Sequence, residues 1–160
     1  MVLVVDANVL IDYAKADESV LALVVQHVGP IYIPRDVFEE VDQLSEDACT
    51  RLGLVVVDGT LEQLLEAGET AGGLSFADRM CLILARDHGW VCATNDGRLR
   101  RACVEGGVEV RWGLQLMLEV VEAGGMEAES AIEVAVAIGR ENPWIKQAVV
   151  DAFIGKARDA

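Results

Sequence analysis

Val2-Leu3-Val4-Val5-Asp6-Ala7-Asn8-Val9-Leu10-Ile11-Asp12 begins with four aliphatic residues and stops abruptly on a carboxylate. A run that short cannot span a membrane, and its β-branched content reads as a strand buried on both faces. The helix-like pattern after Asp6 makes the stretch the first half of a βα unit. In open α/β sheets ligands bind beyond the ends of such strands. Asp6 therefore has two readings: a helix cap worth about 1 kcal/mol, or an acid presented to a site.

The same grammar recurs outward from this stretch. Residues 8–16 and 19–28 read as helices, the second stopped by Gly29-Pro30, and Ile31-Tyr32-Ile33 as a short strand. Pro34 opens a helix expected to reach about Ala48, with Val37, Phe38, Val41 and Leu44 at helical spacing. Leu54-Val55-Val56-Val57 is a further apolar strand ending on Asp58, followed by a helix over 60–67. Ser75-Phe76-Ala77-Asp78 starts a strong helix that runs to His88 and closes at Gly89; Trp90-Val91-Cys92-Ala93 is the next core strand. A turn at Thr94-Asn95-Asp96-Gly97, a helix over 98–104 and a short strand over 108–110 complete the pattern. Alternation of this kind predicts an α/β fold: a parallel sheet, right-handed crossovers and helices on both faces.

Beyond Trp112 the pattern changes. Residues 114–123, 127–139 and 143–157 read as three helices with no strand between them. The expected organisation is a sheet domain over 1–112 and a helical C-terminal extension over 113–160, packed on that domain or on a partner subunit. Ile145, Val149, Ala152 and Phe153 form the stripe expected to make the contact.

Composition narrows the function. With 160 residues, 52% of them apolar, the chain can bury one proper core without a disulfide or structural metal. No basic leader precedes the first apolar run, so a cytoplasmic protein without a membrane anchor is expected. Cys49, Cys81, Cys92 and Cys103 form no C-x-x-C pair and read as buried, reduced thiols. A net charge of −14 excludes broad electrostatic attachment to nucleic acid. Yet Arg79, Arg86, Arg98, Arg100, Arg101 and Arg111 are six of the thirteen basic residues, so local contact with a polyanion stays open.

Three more acids join Asp6. On a helix from Pro34, Glu40 lies at the edge of the Val37/Val41/Leu44 stripe, whereas Glu39 points nearly the opposite way. Asp78 fits the capping box Ser75-x-x-Asp78, but it also sits on a helix apolar nearly all round, where a carboxylate needs a partner or a cation. Asp96 follows a core strand within ordinary turn chemistry, and an N-cap is again open to it. Each acid alone has a bland explanation; together they fall on one edge of a parallel sheet. Converging carboxylates repel unless a divalent cation neutralises them, and hard oxygen ligands suit Mg²⁺ or Mn²⁺. Such a site performs metal-assisted phosphodiester hydrolysis.

Four motifs carry a family resemblance: Asp6-Ala7-Asn8-Val9-Leu10-Ile11-Asp12, Pro34-x-x-Val37-x-x-Glu40-Val41, Leu74-Ser75-Phe76-Ala77-Asp78, and Ala93-Thr94-Asn95-Asp96-x-x-Leu99-Arg100. In order and separation, from residue 2 to about 112, the chain resembles the PIN-domain nucleases. Within them it resembles the VapC-like toxin ribonucleases of bacterial and archaeal toxin–antitoxin pairs, or a close relative with a helical extension. The resemblance implies a three-layer α/β/α fold with a central parallel sheet of about five strands. It also implies an acidic quartet of Asp6, Glu40, Asp78 and Asp96 holding Mg²⁺ or Mn²⁺, and endonucleolytic cleavage of RNA by activated water. Asn8 and Thr94 become supporting polar residues, and an antitoxin and a second copy of the chain become expected partners.

Arg79, Arg98 and Arg100 are candidates to position the RNA backbone, although each also reads as a solvated residue pairing with the many acids. Two rival readings remain. Haloacid-dehalogenase-like phosphatases also place an aspartate after strand one, but they need Asp-x-Asp where this chain has Asp6-x-Asn8, and no lysine lies between Lys15 and Lys146. The other rival is a protein of the same fold that binds metal and a protein partner without cutting RNA.

Overall fold

The computed structural model of the chain describes residues 1–69 and 72–160. Strand β1 (Leu3–Val5) lies at the centre, with all three residues fully buried. It pairs in parallel with β2 (Ile31–Pro34) on one side, Leu3 opposite Ile31, and with β4 (Val91–Ala93) on the other, Leu3 opposite Val91. Outside these run β3 (Val55–Val57), against β2, and β5 (Val110–Arg111), against β4, both parallel. The sheet has five strands in the order β3-β2-β1-β4-β5, as expected for a PIN-like α/β/α fold. The strand order reverses beside β1. That gap is where an open parallel sheet exposes strand ends to a ligand.

Helix α1 (Ala7–Asp17) leaves β1 directly and is followed by α2 (Ser19–His27). Beyond β2 come two short helices, α3 (Arg35–Phe38) and α4 (Glu46–Leu52), instead of one helix from Pro34 to Ala48. The break has a local cause: the Ser45 hydroxyl accepts the Ala48 N–H (3.1 Å) and starts a new helix, with Glu46 and Asp47 favourably placed in its first turn. Val41 and Leu44 are buried all the same. Their helical spacing serves a turn that packs on the core.

Helix α5 (Leu61–Glu69) precedes α6 (Phe76–His88), which packs across β1, β2 and β4 and buries Ala77, Met80, Cys81, Leu84 and Ala85. Gly89 ends α6 in the left-handed region (φ 70°), a conformation glycine adopts without a Cβ penalty. Helix α7 (Gly97–Glu105) bridges β4 and β5.

Three helices follow β5: α8 (Gly113–Glu122), α9 (Ala128–Glu141) and α10 (Gln147–Asp159). Helix α8 packs on α2, α9 packs on α1, and α10 packs on both α8 and α9. Gly113 lets the first approach closely: a Cβ there would lie 3.1 Å from Val9 Cγ2, while the Tyr13 hydroxyl donates to the Gly113 carbonyl (2.5 Å). One buried apolar cluster joins Leu3, Val4 and Val5 to Leu116, Met117, Ala135 and Phe153.

Helix α10 begins four residues later than the sequence suggests. Asn142 accepts the Trp144 N–H with its side chain (3.0 Å) and the Ile145 N–H with its carbonyl (3.1 Å), so 142–146 is a turn. The register of the buried stripe shifts accordingly, to Val150, Phe153 and Ala157, and Val149 is 49% exposed. All four cysteines are free and buried, and among the described residues no helix is long and apolar enough to cross a membrane.

Candidate metal centre

Asp6 follows β1 with extended backbone and is only 2% exposed. Its Oδ1 accepts the Val9 N–H (2.9 Å) and caps α1; its Oδ2 accepts a short hydrogen bond from the Thr94 hydroxyl at the end of β4. The capping reading of the sequence is therefore met, by a side chain that is also a buried acid. The Thr94 hydroxyl oxygen also accepts the Asp96 N–H (3.0 Å), so this fully buried residue ties the two strand ends together.

Asp96 caps α7, its Oδ1 accepting the N–H groups of Arg98 (2.8 Å) and Leu99 (3.1 Å). Asp78 lies in the first turn of α6, where the Ser75 hydroxyl accepts its N–H (3.1 Å). Three acids thus stand at the N-terminal ends of three helices, where backbone N–H groups and the helix dipole favour negative charge. Glu40 comes from the exposed turn after α3, so the helical-wheel argument no longer applies to it.

The proton affinities show which groups feel one another. Burial pushes the Asp6 carboxyl up to about 6; the Thr94 and Val9 hydrogen bonds oppose this, and the charges of Asp78 and Asp96 add to it. Asp78 is also raised, first by burial and then by Asp96, against the hydrogen bonds from Ser75. Glu40 is raised by burial and by the charges of Asp78 and Asp36, while Glu39 lies beside Arg35. Asp36 is a member of this acidic neighbourhood that sequence reading missed.

No cation answers these charges from within the described residues: none of the four acids forms an ion pair with a side chain there. Arg79 donates to the carbonyls of Ala67 (2.9 Å) and Gly72 (3.4 Å). Arg100 donates to the Thr94 carbonyl (3.1 Å) and lies 3.5 Å over the Trp112 ring. Arg98 reaches the Gly73 carbonyl (3.4 Å) and is exposed. With exposed Asn8 and with Asp96, it lines a cleft of about 710 Å³.

Among the described residues, no three acidic, histidine or cysteine side chains stand close enough to cage a metal ion unaided. The donor chemistry nonetheless fits Mg²⁺ or Mn²⁺. It is all oxygen, one member is a buried anion raised by two others, and Mg²⁺ characteristically takes only one or two carboxylates and keeps its waters. The arrangement suits a hydrated ion better than a closed protein cage.

One further tie was illegible in the sequence. The Asn142 side chain donates to both carboxylate oxygens of Asp12 (3.1 and 3.2 Å) across 130 residues of chain. It clamps the turn between α9 and α10 onto α1, and nothing in either local sequence announces it.

The sequence model of a family described as PIN domain matches residues 2–159. Among solved structures, a PilT N-terminus domain protein from the hyperthermophilic archaeon Sulfolobus solfataricus is similar, with a TM-score of 0.59 and 13% sequence identity. The match covers 76% of this chain and 95% of that one, and at this identity it speaks to the fold alone. No curated protein matches.

Proposed function

We propose that this chain, which belongs to the PIN-domain family and has its nuclease fold, is an Mg²⁺- or Mn²⁺-dependent endoribonuclease hydrolysing RNA phosphodiester bonds. The observation that carries the reading is the set Asp6, Glu40, Asp78 and Asp96: acids coupled by mutual repulsion at one edge of the sheet, with no side-chain cation among the described residues to neutralise them. These four would hold a hydrated ion, one or two of them directly and the others through its waters. When bound, it supplies positive charge to the scissile phosphate and makes an attacking water more acidic.

The chain's own contribution is positioning. Asp6 is fixed by Val9 and Thr94, Asp78 by Ser75, and Asp96 by the amides of Arg98 and Leu99. A carboxylate held on both sides keeps its direction as charge develops, which is what outer partners do in metal sites. Arg98, on the cleft wall beside Asp96, would hold the RNA backbone, with Asn8 a supporting polar residue on the same wall.

Thr94→Val keeps the side-chain shape and removes both hydrogen bonds. Cleavage is expected to fall roughly 10–100-fold with the fold intact by circular dichroism. An unchanged rate would remove Thr94 from the site.

The test of the reading is incubation of purified protein with structured and single-stranded RNAs in Mn²⁺, Mg²⁺ or chelator. Cleavage that survives chelation, or no cleavage under any condition, overturns it. The absence, among the described residues, of three tightly grouped ligands favours one rival, a protein of this fold that binds metal and a partner without cutting; turnover in Mn²⁺ separates the two. The toxin role is the outer part of the proposal. Its test is growth arrest on expression, relieved by a small neighbouring reading frame that encodes an antitoxin.

A further inference from the structure

Trp144 is 90% exposed, the most exposed large apolar side chain of the described residues, and yet its backbone is firmly placed. Its N–H donates to the Asn142 side chain, and Asn142 in turn holds Asp12 on α1. Ile145, the next residue, packs against the main core. The turn is anchored on both sides of the indole, and the indole itself is left in water. An indole held in place by its backbone and left in water offers an open aromatic face with a polar N–H at one edge.

The ring stands on the wall of the same cleft that Asn8 and Asp96 line, and Lys15 and Arg98 are the cleft's two cations. The cleft therefore extends from Asp96, the member of the acidic set that lines it, to the α9–α10 turn. Of its other acids, Asp12 is engaged by Asn142 and lies near Lys15, and Glu141 is exposed to solvent. A chain carrying a charge of −14 gains little from long-range attraction to a polyanion. Stacking of bases on an aromatic face needs no net charge and tolerates any sequence.

We propose that Trp144 is a stacking platform for an unpaired base of the RNA substrate, with Lys15 and Arg98 holding neighbouring phosphates. This rests on the nuclease reading above and assigns part of the substrate site to the C-terminal helices. A base within a duplex has both faces covered and cannot use the platform.

The test measures binding and cleavage separately. Binding of a labelled single-stranded oligoribonucleotide and of its duplex is measured in chelator, for the parent, Trp144→Ala and Trp144→Phe; cleavage is measured in Mn²⁺. Trp144→Ala is expected to weaken single-strand binding about tenfold and to raise KM more than it lowers kcat. Trp144→Phe should restore most of both, and the duplex should bind weakly and be insensitive to either change. Equal single-strand binding by parent and Trp144→Ala overturns the platform and leaves the nuclease reading standing. Trp144-dependent binding without cleavage supports the platform and overturns the nuclease reading. A change in oligomeric state by sedimentation, with RNA binding unaltered, assigns the indole to protein contact and overturns the platform.

Discussion

Asp6→Asn is expected to abolish metal-dependent cleavage and, at neutral pH, to make the protein more stable. Asparagine caps a helix as well as aspartate does and is nearly the same size, so the Val9 contact survives, while loss of the Thr94 hydroxyl bond offsets part of the gain. What is lost is charge at the centre of the acidic set, and with it the strongest claim on a cation. The expected loss exceeds the roughly 10–100-fold that follows removal of an outer partner. The gain in stability has the same origin. A carboxylate 2% exposed, with its proton affinity raised from 3.8 to about 6, opposes folding wherever it must ionise. At about 1.4 kcal/mol for each step of one pH unit, relief of that penalty should contribute roughly 1–3 kcal/mol at pH 7.5. Cleavage by the Asn protein at the parent rate would remove Asp6 from the site. A protein that neither cuts nor folds would leave Asp6 as a structural cap and no more.

The second large effect is on pH and metal together. At pH values below 3.8, Asp6 is protonated in the folded and unfolded chain alike and costs nothing. Between 3.8 and about 6 the unfolded chain releases the proton while the folded chain keeps it, so the metal-free protein loses stability as pH rises through that window. Above it the full penalty stands. Urea denaturation in chelator should therefore show the parent weakening relative to Asp6→Asn from pH 4 to pH 7 and running parallel to it thereafter. The comparison matters because lower pH also relieves repulsion throughout an acidic chain, in both proteins equally. Added Mn²⁺ at pH 7.5 should raise the parent's melting temperature and leave that of the Asn protein nearly unchanged, since an ion that binds only the folded state stabilises it by mass action. Identical metal responses in the two proteins would place the ion elsewhere.

Much of the sheet was legible because the central strands are short, aliphatic and ended by a distinctive residue: Val5 by Asp6, Ala93 by Thr94. A strand buried on both faces has little freedom in its composition. The α3–α4 region was less legible. Val37, Val41 and Leu44 keep a helical spacing although the chain turns at Glu39, because burial selects apolar residues without fixing the backbone that carries them. The Ser45 cap was the overlooked signal.

At the site, the caps formed by Asp6, Asp78 and Asp96 are local and could be weighed residue by residue. The bond from Thr94 to Asp6 is not local; only the family resemblance pointed to Thr94 as a supporting residue. The Asn142–Asp12 clamp had no local signal either, and with it the position of Trp144 on the cleft was invisible until the chain was folded.

The Thr94–Asp6 bond also has a temporal meaning. Its partners are 88 residues apart, on the two central strands of the sheet. While the chain is being synthesised, Asp6 emerges first and has neither Thr94 to hold it nor Asp78 and Asp96 beside it. The centre assembles only after β4 has emerged and paired with β1. A growing chain of this sequence therefore lacks the complete acidic set until β4 and the turn after it have been made.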